Sequence, residues 1–149
     1  MIKLIVCSDS HGAKSKIEKI FNDYTFDYLI YLGDGLQDIG AYENLENVIA
    51  VRGNCDFFST YPAERVIEIA GKRFLITHGN TYGVKYGLGS FVKYAKSLGV
   101  DVALFGHTHS YVCETIDNIT FANPGSLKNG TAMQIDVDDR GISFQQLHI

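Results

Sequence analysis

The chain has 149 residues, 46% of them hydrophobic and 20% charged. That composition belongs to an ordinary folded domain and excludes disordered, collagen-like and coiled-coil classes. Thirteen Lys and Arg against 17 Asp and Glu give a net charge of −4 with the five histidines neutral, which argues against a nucleic-acid binder built on a basic surface.

The first predicted strand is Ile2–Ser8, apolar almost throughout, as in a strand buried on both faces. This N-terminus reaches Asp9 too soon for a signal peptide. No apolar run approaches the ~20 residues a bilayer span needs, so a cytoplasmic location with no membrane partner is expected. Residues Ala13–Tyr24 follow as a helix, with Ile17, Ile20, Phe21 and Tyr24 on one face. Tyr28–Leu32 is a second buried strand, Leu36–Leu45 a helix weakened by Gly40, and Val48–Val51 a third strand. This β-α-β-α-β order predicts a parallel sheet with helices packed on it. Arg65–Ala70 and Arg73–Thr77 then flank Gly71-Lys72 as a hairpin. A glycine-rich stretch, Gly79–Gly89, leads into a helix with Leu88, Phe91, Val92, Ala95 and Leu98 on one face. Val102–Phe105 is another buried strand. The remainder reads as strands Tyr111–Ile116, Ile119–Ala122, Thr131–Val137 and Ile142–Leu147, with turns at Asp117-Asn118 and Asp138–Gly141. With no linker, repeat or low-complexity tract, residues 1–149 are expected to form one mixed α/β domain of two packed sheets flanked by helices. Cys7, Cys55 and Cys113 are too few and too scattered for a disulfide framework or a CxxC pair.

Five apolar runs each stop at a short polar group. Ile2–Cys7 ends in Ser8-Asp9-Ser10-His11, and Tyr28–Leu32 in Gly33-Asp34. Val48–Val51 ends, past Arg52, in Gly53-Asn54-Cys55-Asp56. Phe74–Ile76 ends in Thr77-His78-Gly79, and Val102–Phe105 in Gly106-His107-Thr108-His109. Ligands of open α/β sheets bind at the carboxyl ends of strands. Four of the five histidines lie at such ends, with His148 the exception. Imidazole and carboxylate together suit Zn, Mn, Fe or Ni. Each dipeptide alone also reads as a turn or a rim histidine; all five in order point to a metal site.

Taken together, Asp9-x-His11, Gly33-Asp34, Gly53-Asn54, His78-Gly79 and Gly106-His107-Thr108-His109 resemble the five-part signature of the calcineurin-like metallophosphoesterases. Gly53–Asp56 and Asn123-Pro124-Gly125-Ser126 resemble its small bacterial and archaeal phosphodiesterase branch. The resemblance implies a four-layer α-β-β-α sandwich and hydrolysis of small phosphodiesters by a hydroxide activated between two divalent metals. Asp9, His11, Asp34 and His109 would hold one metal, and Asp34, Asn54, His78 and His107 the other, with Asp34 bridging. Asn54, His78, His107 and Asp34 would take part in catalysis. Mn is the first choice of metal, with Ni, Fe, Zn or Mg as alternatives. The implied partner is a small phosphoester substrate, and relatives of this kind often form a homodimer or homotetramer. Two rival readings are a narrow-specificity nucleotidase or cyclic-nucleotide hydrolase, and a non-catalytic scaffold of the kind found in an endosomal coat.

Cys55 stands where many relatives carry a histidine that protonates the leaving group. A thiol matches that role poorly at neutral pH, so weak catalysis on poor leaving groups is expected. Cys55 itself reads first as a small buried residue, with a ligating or redox thiol as the alternative. Asp56 either orients a ligating histidine or caps a turn. Ser8, Ser10 and Thr108 are expected to satisfy backbone groups, Asn123–Ser126 to form a turn, and Tyr82, Lys85 and Tyr86 to sit in a glycine-rich loop that reads first as ordinary surface, with contact to substrate as the alternative.

Overall fold

The computed structural model describes residues 1–149. Ten strands and two α-helices follow in the order β1 (Ile2–Cys7), α1 (Lys14–Asp23), β2 (Tyr28–Tyr31), β3 (Val48–Ala50), β4 (Glu64–Ile69) and β5 (Lys72–Thr77). Then come α2 (Gly89–Leu98), β6 (Val102–Leu104), β7 (Tyr111–Ile116), β8 (Ile119–Pro124), β9 (Thr131–Asp138) and β10 (Gly141–His148). The strands form two five-stranded mixed sheets, ordered β10-β9-β1-β2-β3 and β4-β5-β6-β8-β7. Each sheet has three parallel strands, β1-β2-β3 in the first and β5-β6-β8 in the second. Their polar strand ends supply the site.

Alternation along the strands explains the layering. In β1, Leu4 and Val6 face the second sheet, where they join Phe74, Ile76, Val102 and Leu104 in the central core. Ile5 and Cys7 point the other way, onto Ile17 and Ile20 of α1. In the second sheet Leu75, Ala103 and Phe121 turn outward onto Phe91 and Ala95 of α2. The result is helix, sheet, sheet, helix. Both faces of each central strand are covered, which is why those strands read as continuous apolar runs. No helix is long and apolar enough to cross a membrane.

Three local expectations need correction. Residues Leu36–Tyr42 wind as a 3-10 helix rather than an α-helix through Leu45. Gly35 at φ 135 starts it, and the Asp38 N–H bonds back three residues to the Gly35 carbonyl at 2.8 Å. The β4–β5 hairpin turns on Ala70-Gly71 rather than Gly71-Lys72, because Ile69 pairs with Lys72. Both turn residues have positive φ, 51° and 79°, the geometry whose twist matches paired strands. Strand β8 continues past Ala122 to Pro124, so Asn123 and Pro124 end a strand rather than begin a turn.

Candidate metal centre

The carboxyl ends of β1, β2 and β3 lie beside those of β5 and β6. Backbone bonds tie the loops within each sheet: Asp9 N–H to the Gly33 carbonyl at 2.9 Å, and Gly106 N–H to the His78 carbonyl at 3.0 Å. Six of the seven residues predicted to hold metal converge as two groups, Asp9, His11 and His109, and Asp34, His78 and His107. Within each group the ligand atoms lie within 4.8 Å of one another. The seventh, Asn54, sits on the turn after β3, with its side-chain amide 3.5 Å from the Cys55 sulfur.

Both aspartates use one oxygen for anchorage and aim the other at the histidines. Asp9 Oδ2 accepts the Ser8 hydroxyl at 2.6 Å and the His107 N–H at 3.1 Å. Asp9 Oδ1 is buried without a hydrogen-bond partner. It lies 3.2 Å from His109 Nε2, 3.5 Å from His11 Nε2 and 3.8 Å from His78 Nε2. Asp34 Oδ1 accepts the Cys55 N–H at 2.7 Å, while Oδ2 is 3.2 Å from His78 Nε2 and 3.9 Å from His11 Nε2. Between the imidazoles, His11 Nε2 is 3.3 Å from His109 Nε2, and His78 Nε2 is 3.3 Å from His107 Nδ1. An orphaned buried carboxylate oxygen surrounded by ring nitrogens fits a bound cation.

The histidine chemistry agrees. His78 Nδ1 donates to the Leu32 carbonyl at 2.7 Å, which leaves the lone pair of the neutral ring on Nε2, aimed into the site. Burial alone would lower the His78 pKa, but Asp34 and Asp9 raise it above the ordinary value. Burial likewise works against the Asp34 carboxylate; the adjacent His78 ring and the Cys55 N–H outweigh it and bring the pKa to about 2. His107 is pushed down by burial, then by His78 and Lys85.

Backbone strain concentrates here. Of nine non-glycine residues at positive φ, five are Asp9, His11, Asp34, His107 and His109. Such conformations cost energy and persist where the surroundings enforce them. The enforcing residues are visible. Asp56 accepts four N–H groups, from Asp34 and Gly53 on Oδ2 and from Gly35 and Leu36 on Oδ1, at 2.7–3.0 Å. It therefore clamps two site loops together and orients no histidine. Asp38 accepts the Ser10 hydroxyl at 2.5 Å and the Gly12 N–H at 2.9 Å. The Tyr31 hydroxyl bridges the Ser10 hydroxyl and the Asp34 carbonyl at 2.6 and 3.0 Å. Buried Asn123 donates to the Gly106 carbonyl and the Thr108 hydroxyl, both at 3.0 Å, and steadies the double-histidine loop.

Sequence reasoning missed the roles of Asp38, Tyr31 and Asn123 and left that of Asp56 open. Ser8 and Ser10 reach the expected backbone carbonyls, of Gly33 at 3.4 Å and Gly35 at 3.5 Å, but their shorter bonds go to the carboxylates of Asp9 and Asp38. Cys55 is exposed, not buried, because its backbone turns inward to Asp34. Partial burial, then the Asp34 charge, raises its thiol pKa. Tyr82 is not a free loop residue: its hydroxyl bonds Glu64, which also takes the Tyr94 hydroxyl.

Residues 2–139 match the calcineurin-like phosphoesterase superfamily domain. The chain belongs to that superfamily. It is 33% identical over 145 residues to phosphodiesterase MJ0936 of Methanocaldococcus jannaschii, covering 83% of each chain. It is 31% identical over 129 residues to the probable metallophosphoesterase YsnB of Bacillus subtilis, covering 85% of this chain and 76% of the relative. The crystal structure of a predicted phosphoesterase from Streptococcus pneumoniae TIGR4 superposes with a TM-score of 0.85 at 25% identity, over 99% of this chain and 89% of that one. This superfamily member is thus a hydrolase of phosphoester bonds with the four-layer sandwich of its family, and its family implies divalent metals.

The motif glycines are steric requirements of the centre. A Cβ on Gly53 would lie 2.2 Å from Asp34 Oδ1 and 2.7 Å from the Asp34 nitrogen. Gly53→Ala is expected to weaken divalent-metal binding by about tenfold or more while the sandwich still folds, the usual size of a disturbance behind a metal ligand. Calorimetric titration checks it; an unchanged affinity would mean that Asp34 has room to shift.

Proposed function

We propose that the chain is a metal-dependent phosphodiesterase that cleaves small phosphodiesters at a centre of two divalent cations, with Mn²⁺ as the first choice. Asp9, His11, Asp34 and His109 would hold one cation, and Asp34, Asn54, His78 and His107 the other. The observation that carries this reading is Asp9 Oδ1, a buried acceptor with no hydrogen bond and three imidazole nitrogens 3.2–3.8 Å away. The name of the Methanocaldococcus jannaschii relative supports diesters as the substrate class.

Bound by these residues, two cations would supply Lewis acidity for activating water and for offsetting phosphoryl charge. The chain supplies orientation. The bond from His78 Nδ1 to the Leu32 carbonyl fixes that ring. Asp9, Asp34 and His78 form a buried floor, while His11 and His109 are partly exposed and border the entry for substrate. Asn54, on its exposed turn, would offer its amide oxygen to the second cation, leaving its NH₂ free for a phosphoryl oxygen. Every acid and imidazole ligand expected of the family is present, which favours catalysis over a scaffold role.

The test is hydrolysis of bis(p-nitrophenyl) phosphate by chelator-stripped protein, with Mn, Ni, Fe, Zn or Mg added back singly. Stripping is expected to lower turnover by about 10² or more, and at least one ion to restore it. His109→Ala should resist restoration. Two ions bound per chain without turnover would overturn the phosphodiesterase reading, and no bound ion would overturn the centre.

A further inference from the structure

Phe57 and Phe58 have no part in the machinery described so far. They stand side by side in solvent, Phe57 77% exposed and Phe58 fully so. Phe58 also has φ 63, a left-handed conformation that disfavours a bulky side chain. Nothing in the core asks for either ring. Their placement is nevertheless well defined, because they follow Asp56, whose carboxylate is locked onto the N–H groups of Asp34, Gly35, Leu36 and Gly53.

The two rings line an open groove of about 610 Å³. Leu36, Gln37 and Glu43 also line it, and it reaches His11 and Asp34 of the metal centre. Its charge is informative. No lysine or arginine lines it. The carboxylates of Asp56 and Asp38 are turned into backbone and hydroxyl donors. A second phosphate or other anionic tail would meet Glu43 and no cation. A flat uncharged ring would meet two phenylalanine side chains.

We infer that this groove is the subsite for the organic group of the substrate, and that it takes a flat, uncharged aromatic ring, from a nucleobase or an aryl ester, against Phe57 and Phe58. The inference rests on the phosphodiesterase reading and deepens it. The phosphoryl group lies at the centre and the ring lies along the loop that Asp56 fixes. A ring stacked in this way gains about tenfold in affinity.

The test uses the Mn²⁺-loaded full chain, titrated calorimetrically with methylphosphonate, cyclohexylphosphonate and phenylphosphonate, which have no ester to hydrolyse. Phenylphosphonate is expected to bind about tenfold tighter than methylphosphonate, and tighter than cyclohexylphosphonate. The double variant F57S/F58S should lose the phenyl advantage and keep the methylphosphonate Kd. F58G should raise the melting temperature, by relieving the positive φ, while phenyl affinity falls; a merely structural residue would move both together. Adenosine 5′-monothiophosphate separates the ring sources: tighter binding than phenylphosphonate assigns a nucleobase, weaker binding a short aryl ester. Equal phenyl and methyl affinities in the wild type would overturn the inference, as would a phenyl advantage that survives F57S/F58S. So would a double variant that dissociates an oligomer in analytical ultracentrifugation with phosphonate affinities unchanged, which would make the rings a surface between copies. Failure of methylphosphonate itself to bind the Mn²⁺-loaded chain would overturn the phosphodiesterase reading, and this subsite with it.

Discussion

Replacing Asp34 by asparagine is expected to lower kcat/KM for bis(p-nitrophenyl) phosphate by about a thousandfold or more, about 4 kcal/mol of transition-state stabilisation. Asp34 Oδ2 is where the two histidine groups meet, 3.2 Å from His78 and 3.9 Å from His11. The asparagine oxygen can still accept the Cys55 N–H, now made at 2.7 Å by Asp34 Oδ1, so the turn around the residue should survive. What disappears is the negative charge facing two would-be cations. Its NH₂ group would instead present protons to ring nitrogens that should be ligands. Elemental analysis of the folded variant is expected to find about one ion per chain or fewer, against about two in the wild type. Wild-type metal content together with wild-type turnover would remove Asp34 from the centre.

Asp56→Asn should strike stability as well as activity. One carboxylate here serves four backbone donors, on Asp34, Gly35, Leu36 and Gly53. An amide keeps one acceptor oxygen and turns the other position into a donor that faces two N–H groups. Leaving partly buried donors unsatisfied costs about 1–3 kcal/mol each, so a loss of about 3 kcal/mol is expected. For a chain of this size that is about 10 °C in melting temperature. Asp56 touches no histidine, so its effect on catalysis runs through the placement of Asp34. Excess Mn²⁺ should therefore recover much of the activity of Asp56→Asn, and little of that of Asp34→Asn. A melting temperature within a degree of the wild type would show that the two turns hold themselves.

The contrast between these two aspartates also marks how far the fold and site could be read from sequence. Asp34, the histidines and their strand-end positions were legible because the side chains themselves carry the chemistry and follow apolar runs such as Tyr28–Leu32 and Val102–Phe105. Asp56, Asp38 and Asn123 act on backbone N–H and C=O groups of distant segments, and a backbone group has no residue identity to show in the sequence. The Asp56–Asp34 bond spans 22 residues and the Asn123–Gly106 bond 17. Cys55 was misplaced for a related reason. The intrinsic preference of a free cysteine for burial gave way to the need for its N–H at Asp34, which leaves the side chain outside. The Gly71-Lys72 hairpin slipped by one residue because a glycine suits either position of a two-residue turn. The pairing of Ile69 with Lys72 decides which.

Each histidine group draws on both sheets. Asp9 and His11 follow β1 of the first sheet, but their partner His109 follows β6 of the second; Asp34 follows β2, but His78 and His107 follow β5 and β6. A nascent chain of this protein therefore carries only four of the six grouped residues, Asp9, His11, Asp34 and His78, and no complete group until His107 and His109 have emerged. Even then the first sheet lacks β9, which sits directly beside β1. If the two groups hold metal as proposed, acquisition would follow synthesis of nearly the whole chain, because a shorter copy has no complete group.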